Sequence, residues 1–353
     1  MINFGINLQR ELDHPMNIRI RGENATGYFA LRSQYDMITT TFIPVFKAVF
    51  AIFLIAIVSG LLVRRNIIKQ SDIQSLSHIT IVVLLPCLFF SKIVSSFNPS
   101  SFIYWWLLPL VAFLMIGLAL GMAYLLFYKK RNQKKALMAV ASFMNANYMV
   151  LPIATMLYTK ELDEFLTYCF LFILGVSTAL WSVGKYMVTA GENEKIKFNQ
   201  LVNPPLIVSL GSILLVLIGG APFIPSAILI PVDFIGQAAI PIATIVLGAT
   251  LGSVSVRQLP PIADVLKVVG IKLFIIPALV ILFLSQSQWL INYPLIADLL
   301  VLQASVAPAT LLIVQVRKYG GNAQEVGSMM LITYVVCLLT IPAWLTFWRM
   351  LIA

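Results

Sequence analysis

Ten runs of apolar residues, each near the length of a bilayer crossing, fill residues 42 to 350 and leave room for little else. Their approximate bounds are 42–63, 76–97, 103–128, 135–158 and 165–189, then 204–220, 228–253, 264–285, 295–316 and 326–350. A helix that crosses a membrane needs about 20 mostly apolar residues, and it must pair its own backbone N–H and C=O groups. Composition excludes a water-soluble core for the same runs. The chain is 60% apolar and 11% charged, against roughly 45–50% and 25% in soluble domains, and its mean hydropathy is +0.93. A cytosolic enzyme, a nucleic-acid binder and a disordered scaffold are therefore excluded. The expectation is an all-α polytopic membrane protein with ten transmembrane helices.

The formal charge of +10 is distributed unevenly. Arg64, Arg65, Lys69, Lys129, Lys130, Arg131, Lys134, Lys135, Lys195, Lys197, Arg257, Lys267, Arg317 and Lys318 lie toward one set of alternate loops. Toward the other set lie only Lys160 and Arg349. Basic loops stay cytoplasmic, so the first set faces the cytoplasm of a plasma (inner) membrane and ten crossings put both termini outside. The Lys129–Lys135 cluster serves as an orientation anchor or as a seat for anionic lipid. Residues 1–41 form a polar tail of balanced charge without the pattern of a signal peptide. The tail carries an Asn24-Ala25-Thr26 sequon, and Met37 offers an alternative start. Cys87, Cys169 and Cys337 fall in three separate apolar runs and read as small buried residues.

The prolines divide the chain into two halves, 42–189 and 204–353, joined by a short linker at 190–203. Pro86 and Pro241 are 155 apart (241 − 86), and Pro152 and Pro308 are 156 apart (308 − 152). Five crossings per half is an odd number, so the second half is inverted relative to the first. Inverted five-helix repeats are a recurrent plan of secondary transporters.

The fourth run contains Asn145-Ala146-Asn147-Tyr148 shortly before Pro152, and the ninth contains Gln303-Ala304-Ser305 before Pro308. Proline removes a helical hydrogen bond and clashes with the preceding turn, so each run should break on its N-terminal side. The carboxamides can pair the freed backbone or hold a polar ligand. With both prolines at the start of a second half-helix, two helix N-termini would approach the midplane, and a carboxylate suits them. Asn145, Asn147, Tyr148, Pro152, Gln303, Ser305 and Pro308 are the candidate substrate-binding residues.

Other intramembrane polar residues admit plainer readings. Ser177 and Thr333, at the 156 offset, would line one cavity or bond their own helices. Lys92, Lys185 and Lys272 would snorkel, and His78 would sit at the interface. Asp233 and Asp298, at the starts of their runs, would favour the helix dipole or serve proton coupling. No catalytic motif appears, and the only histidines are His14 and His78. No enzyme activity, cofactor or metal site is expected.

These residues resemble the auxin efflux carrier family. Its fourth-span motif is matched by Asn145, Tyr148, Leu151 and Pro152, with Val150 where the family has glycine. Gln303, Ala304 and Pro308 match its ninth span. Leu85-Pro86-Cys87-Leu88-Phe89-Phe90, Lys318-Tyr319-Gly320 and Leu339-Thr340-Ile341-Pro342 match other signatures. The likeness covers approximately residues 42–350. It implies two inverted five-helix repeats with helices 4 and 9 crossing at their breaks. A scaffold (spans 1, 2, 6 and 7), a transport domain (3–5 and 8–10) and a homodimer through the scaffold are also implied. It further implies permease or efflux of a small organic anion, an auxin-like or dicarboxylic acid, and the short linker favours the prokaryotic type. A sodium-coupled symporter of the bile acid transporter type and a non-transporting membrane sensor or scaffold are the alternatives.

Overall fold

The computed structural model describes residues 37–189, 203–254, 259–287, 290, 292–319 and 321–352. Most of the tail, with its sequon, and residues 190–202 of the linker lie outside them. Thr41–Ala353 form one compact unit. The described residues form 12 helices and no strand. They are α1 (Ile38–Arg64), α2 (Gln70–Ser96), α3 (Leu107–Leu126), α4 (Lys135–Ser142), α5 (Val150–Leu157), α6 (Leu162–Val188), α7 (Pro204–Leu217), α8 (Ser226–Gly252), α9 (Ile262–Gln286), α10 (Pro294–Ser305), α11 (Leu311–Tyr319) and α12 (Ala323–Ile352).

Seven of these (α1, α2, α3, α6, α8, α9 and α12) are long and apolar enough to cross a membrane. A helix of 27 residues such as α2 is about 40 Å long at 1.5 Å per residue, enough for the hydrocarbon layer. The remaining three expected spans differ. The sixth is a helix of 14 residues, α7, while the fourth and ninth are each split in two. α2 begins at Gln70, six residues before the expected 76. Its polar first turns (Gln70–Ser77) have no hydropathy signal, but the Lys69 N–H donates to Asp72 Oδ2 at 2.9 Å and starts the helix.

Three helices widen to π geometry directly ahead of a proline. The turns Ile38–Phe42, Thr80–Leu84 and Gly270–Ile275 precede Pro44, Pro86 and Pro277. Proline cannot donate to the carbonyl four residues back, and a wider turn carries the helix past the defect without a break. A fourth π turn, Leu180–Gly184 in α6, has no proline after it.

Helix association in a membrane relies on close packing, which small residues permit. α1 and α8 meet through Ala56, Gly60, Gly248 and Gly252. A Cβ at Gly252 would lie 2.3 Å from the Gly60 Cα, and one at Gly248 would lie 2.3 Å from the Ala56 carbonyl oxygen.

The proline register holds in one pair and fails in the other. α2 and α8 are both 27 residues long and start 156 apart (226 − 70), with Pro86 and Pro241 at nearly equal depth. At the breaks, α5 starts two residues before Pro152, whereas α11 starts three residues after Pro308. Pro152 thus sits in the first turn of its half-helix, where its missing N–H has no helical partner to lose. Pro308 lies in the non-helical segment, contrary to expectation.

Candidate functional site

The two breaks meet. Beyond Ser142 the chain turns extended at Phe143 (φ −87°, ψ 124°), and Met144 forms an antiparallel bridge with Pro308. The Asn145 N–H donates to the Ala307 carbonyl at 2.9 Å, and the Ala309 N–H donates to the Phe143 carbonyl at 3.0 Å. Each break supplies the partners that the other lacks, as an apolar surrounding demands. Proline fits at 308 because the bridge takes donors from its neighbours and needs none from it.

Asn145 organises this crossing from a buried position. Its Oδ1 accepts from the Tyr148 N–H at 3.1 Å, and its Nδ2 donates to the Tyr334 hydroxyl at 2.6 Å. Tyr334, on α12, donates in turn to the Pro308 carbonyl at 2.9 Å. Asn147 is half-buried, and its Oδ1 has no hydrogen-bond partner among the described residues.

Asn145, Asn147 and Tyr148 line a cavity of about 70 Å³ together with Thr310 and Leu311, beside the N-termini of α5 and α11. Ser177 and Trp181 of α6, Asn203 and residues of α2 close it. It adjoins a cavity of about 500 Å³, with which it shares Ile81, Trp181 and Leu311. The larger cavity is lined by Gln70, Gln74, Ser77, His78, Gln315, Arg317 and Lys318 among others. No carboxylate lines either cavity among the described residues. Arg317 ties α11 to the partners around it: Nη1 donates to Gln70 Oε1 at 3.2 Å and Nη2 to the Ser253 carbonyl at 3.1 Å.

A separate cavity of about 490 Å³ is lined by Pro152, Thr155 and Met156 of α5, together with Lys92, Asp163 and Gln237. Here Lys92 of α2 stands 3.1 Å from both Asp163 of α6 and Asp233 of α8. Ser91 donates to Asp233 at 2.8 Å, and Gln237 also donates to it at 2.6 Å.

The other expected ligands fall elsewhere. Gln303 is fully buried and lines neither cavity. The Ser305 hydroxyl donates to the Val301 carbonyl at 2.6 Å within its own helix. Ser177 and Thr333 do not share a cavity. Ser177 Oγ accepts from Asn203 Nδ2 at 3.0 Å, whereas Thr333 is buried and donates to the Met330 carbonyl at 2.7 Å.

The lysines do not snorkel as expected. Lys92 is held by two carboxylates, Lys185 is buried with its ammonium over the Tyr319 ring, and Lys272 is only 1% exposed. Asp233 and Asp298 are likewise paired rather than left to a helix dipole. Asp298 accepts from Arg349 at 2.6 Å and from the Tyr158 hydroxyl at 2.9 Å. The free thiols of Cys169 and Cys337 are buried. Among the described residues no group of three or more His, Cys, Asp or Glu side chains could hold a metal ion.

Sequence reasoning missed Tyr334, Thr310 and Asn203. Only Asn203 had a usable signal: it precedes Pro204-Pro205 as an N-cap, and its Oδ1 accepts from the Leu206 N–H at 3.0 Å.

Broken helices that meet at a polar crossing inside an all-helical membrane body define a membrane transporter. A family model described as "Membrane transport protein" matches residues 44–345, and the chain belongs to that family, the auxin efflux carriers. It is 26% identical over 291 residues to an uncharacterized transporter of Methanocaldococcus jannaschii, across 79% of this chain and 91% of that one. The family is one of transporters, not enzymes.

Proposed function

We propose that the protein is a secondary transporter that carries a small organic anion, an auxin-like or dicarboxylic acid, by alternating access around the crossing of α4–α5 with α10–α11. The observation that carries this reading is the pair of adjoining cavities at the crossing. They present amide, hydroxyl and half-helix N-terminal donors together with Arg317 and Lys318, and no carboxylate among the described residues. A site of that chemistry attracts anions and repels none. Asn145, Asn147 and Tyr148 are its binding residues, with Thr310 added. Pro308 shapes the crossing, Pro152 starts the half-helix beneath it, and Gln303 and Ser305 support it from behind.

In this reading the helices make ten crossings as two inverted repeats, 42–189 and 204–353. The basic loops and the larger cavity face the cytoplasm, and both termini lie outside the inner membrane. The protein works as a homodimer. The fixed pairing of Asp233 and Asp298 speaks against their shuttling protons in this conformation.

The test is electrogenic flux in proteoliposomes with a panel of mono- and dicarboxylates, with and without proton and sodium gradients. A current elicited by one acid and lost in Asn145→Ala supports the reading. Bound acid without flux would favour a sensor, and flux that requires sodium would favour the bile-acid type of symporter.

A further inference from the structure

Between α1, α8 and α12 a groove of about 280 Å³ opens toward the lipid, and it shares no lining residue with the two cavities at the crossing. Its rim is apolar: Ile57, Leu61 and Val335 are each more than half exposed. Its floor is Ile52 and Tyr334, both buried. Where α1 and α8 touch, Ala56, Gly60, Gly248 and Gly252 line it with little more than backbone. Arg64, in the last turn of α1, is the one charged residue of the lining. It is exposed and makes no ion pair among the described residues.

Along α1 the groove runs from Arg64 to Ile52, 12 residues apart (64 − 52). At 1.5 Å per residue that is about 18 Å, close to one leaflet of a hydrocarbon layer about 30 Å thick. Unfilled apolar space beside acyl chains forfeits dispersion contacts, so the groove suits a chain. A guanidinium at the headgroup level pairs a phosphate through two parallel hydrogen bonds. The two ends of the groove therefore fit one molecule that carries both an acyl chain and an anionic head. The deep end reaches the crossing. The Phe53 ring, in the lining, is 6.4 Å from the Tyr334 ring, and the Tyr334 hydroxyl joins Asn145 to the Pro308 carbonyl.

We propose that this groove is a binding site for one anionic phospholipid from the leaflet at the Arg64 end. Its phosphate pairs with Arg64. One acyl chain runs along α1 to Phe53 and Tyr334 and braces the phenol that ties the two breaks together. The protein is therefore more stable, and carries its acid faster, in a bilayer that contains anionic lipid. The consequence for flux rests on the transport reading above, whereas the lipid site itself does not.

The experiment reconstitutes wild type, Arg64→Gln and Val335→Trp in phosphatidylcholine vesicles that carry a trace of phosphatidylglycerol with a diazirine at the end of one acyl chain. After illumination the crosslinked peptides are mapped by mass spectrometry. In wild type the label should concentrate around Phe53 and Tyr334. It should fall about fivefold in Arg64→Gln, which removes one basic residue from an anionic head, and vanish from both segments in Val335→Trp, whose indole fills the mouth of the groove. Unlabelled phosphatidylglycerol should raise wild-type melting by several degrees over phosphatidylcholine alone and raise acid flux severalfold, with smaller gains in both variants. Label scattered evenly over the lipid-facing helices overturns the proposal. So does a groove labelled equally by a phosphatidylcholine or a free fatty acid carrying the same diazirine. A cysteine at Val335, in a background lacking Cys87, that forms a disulfide-linked dimer would give the groove to a second copy of the chain and overturn it too. Label in the groove with melting and flux indifferent to phosphatidylglycerol overturns the bracing of Tyr334. A wild type silent to every acid, yet labelled and stabilised as expected, would defeat the transport reading and leave the lipid site standing. A transporting wild type that takes no label in the groove would do the reverse.

Discussion

Asn145 and Tyr334, 189 residues apart in the chain, share a hydrogen bond of 2.6 Å in which the carboxamide donates to the phenol. The phenol in turn donates a hydrogen bond to the Pro308 carbonyl at 2.9 Å. One side chain of α12 therefore ties both breaks together at the Met144–Pro308 bridge. The crossing is a three-element unit rather than a contact between two bent helices.

Asn145→Ala removes the acceptor for the buried Tyr148 N–H as well as the donor to Tyr334. An unsatisfied buried group of this kind costs about 1–3 kcal/mol. Flux should fall at least tenfold, equivalent to about 1.4 kcal/mol in the rate-limiting barrier, while the protein remains extractable and folded. Tyr334→Phe should lose part of the same flux. In a double-mutant cycle on melting free energy, the two should couple by about 0.5–3 kcal/mol. Simple additivity would show that the hydrogen bond does not join the two breaks.

Lys92 clasps α2 to α6 through Asp163, and α8 accepts the same ammonium through Asp233. It borders the cavity that holds Pro152, Thr155 and Met156, away from the cavities of Arg317. Lys92→Met would leave two carboxylates facing one another without their cation and favour opening on that side. A cysteine placed at Met156, in a background lacking Cys87, should then react faster with an aqueous maleimide than in the same protein with Lys92 intact. Equal rates would mean that the clasp does not gate this cavity.

Much of this site was legible in the sequence, because Asn145 and Tyr148 break an apolar run just before a proline. The chemistry that forces the break is local, and so is its signal. What the sequence hid depends on rotation and partners. Gln303 looked like a counterpart of Asn147 but points into packed protein, since the two breaks differ in length and the proline offset of 156 does not superimpose them. Lys272 read as a snorkelling lysine because hydropathy records depth and not which face is covered. Tyr334 sits in an ordinary apolar helix, and nothing local announces that its hydroxyl meets residues 145 and 308.

The contact of α1 with α8 predicts a steep dependence on side-chain size. Gly252→Leu must displace the backbone at Gly60, whose Cα would be 2.3 Å from the added Cβ, and Gly248→Leu meets Ala56 in the same way. Gly117 has nothing within 4 Å of an added Cβ. Gly252→Leu should therefore abolish recovery of folded protein or shift its melting by many degrees. Gly117→Ala should be neutral or slightly stabilising, because alanine is favoured over glycine in a helix by about 1 kcal/mol. A Gly252→Leu protein that melts as wild type would contradict the close approach of the two helices.

Lys134 offers a test at the start of the broken pair, outside the spans. Its ammonium stands 3.1 Å from Asp264 at the start of α9 and also donates to Glu325 in the first turn of α12. Burial works against the charge, but the hydrogen bonds to Glu325 and Asp264 outweigh it and raise the Lys134 pKa above its ordinary value of 10.5. A lysine whose pKa is higher in the folded protein contributes stability that is fully present below the unfolded value and is lost as pH rises through the folded one. This contribution should therefore be constant from pH 6 to 9 and disappear only at pH values above the ordinary lysine range. Lys134→Met leaves Asp264 and Glu325 as adjacent charges without a partner. The variant should melt several degrees below wild type at pH 7 in low salt, and the gap should narrow as added salt screens the repulsion between the two carboxylates. A gap that stays constant as salt is raised would assign the loss to packing of the lysine stem instead of to charge.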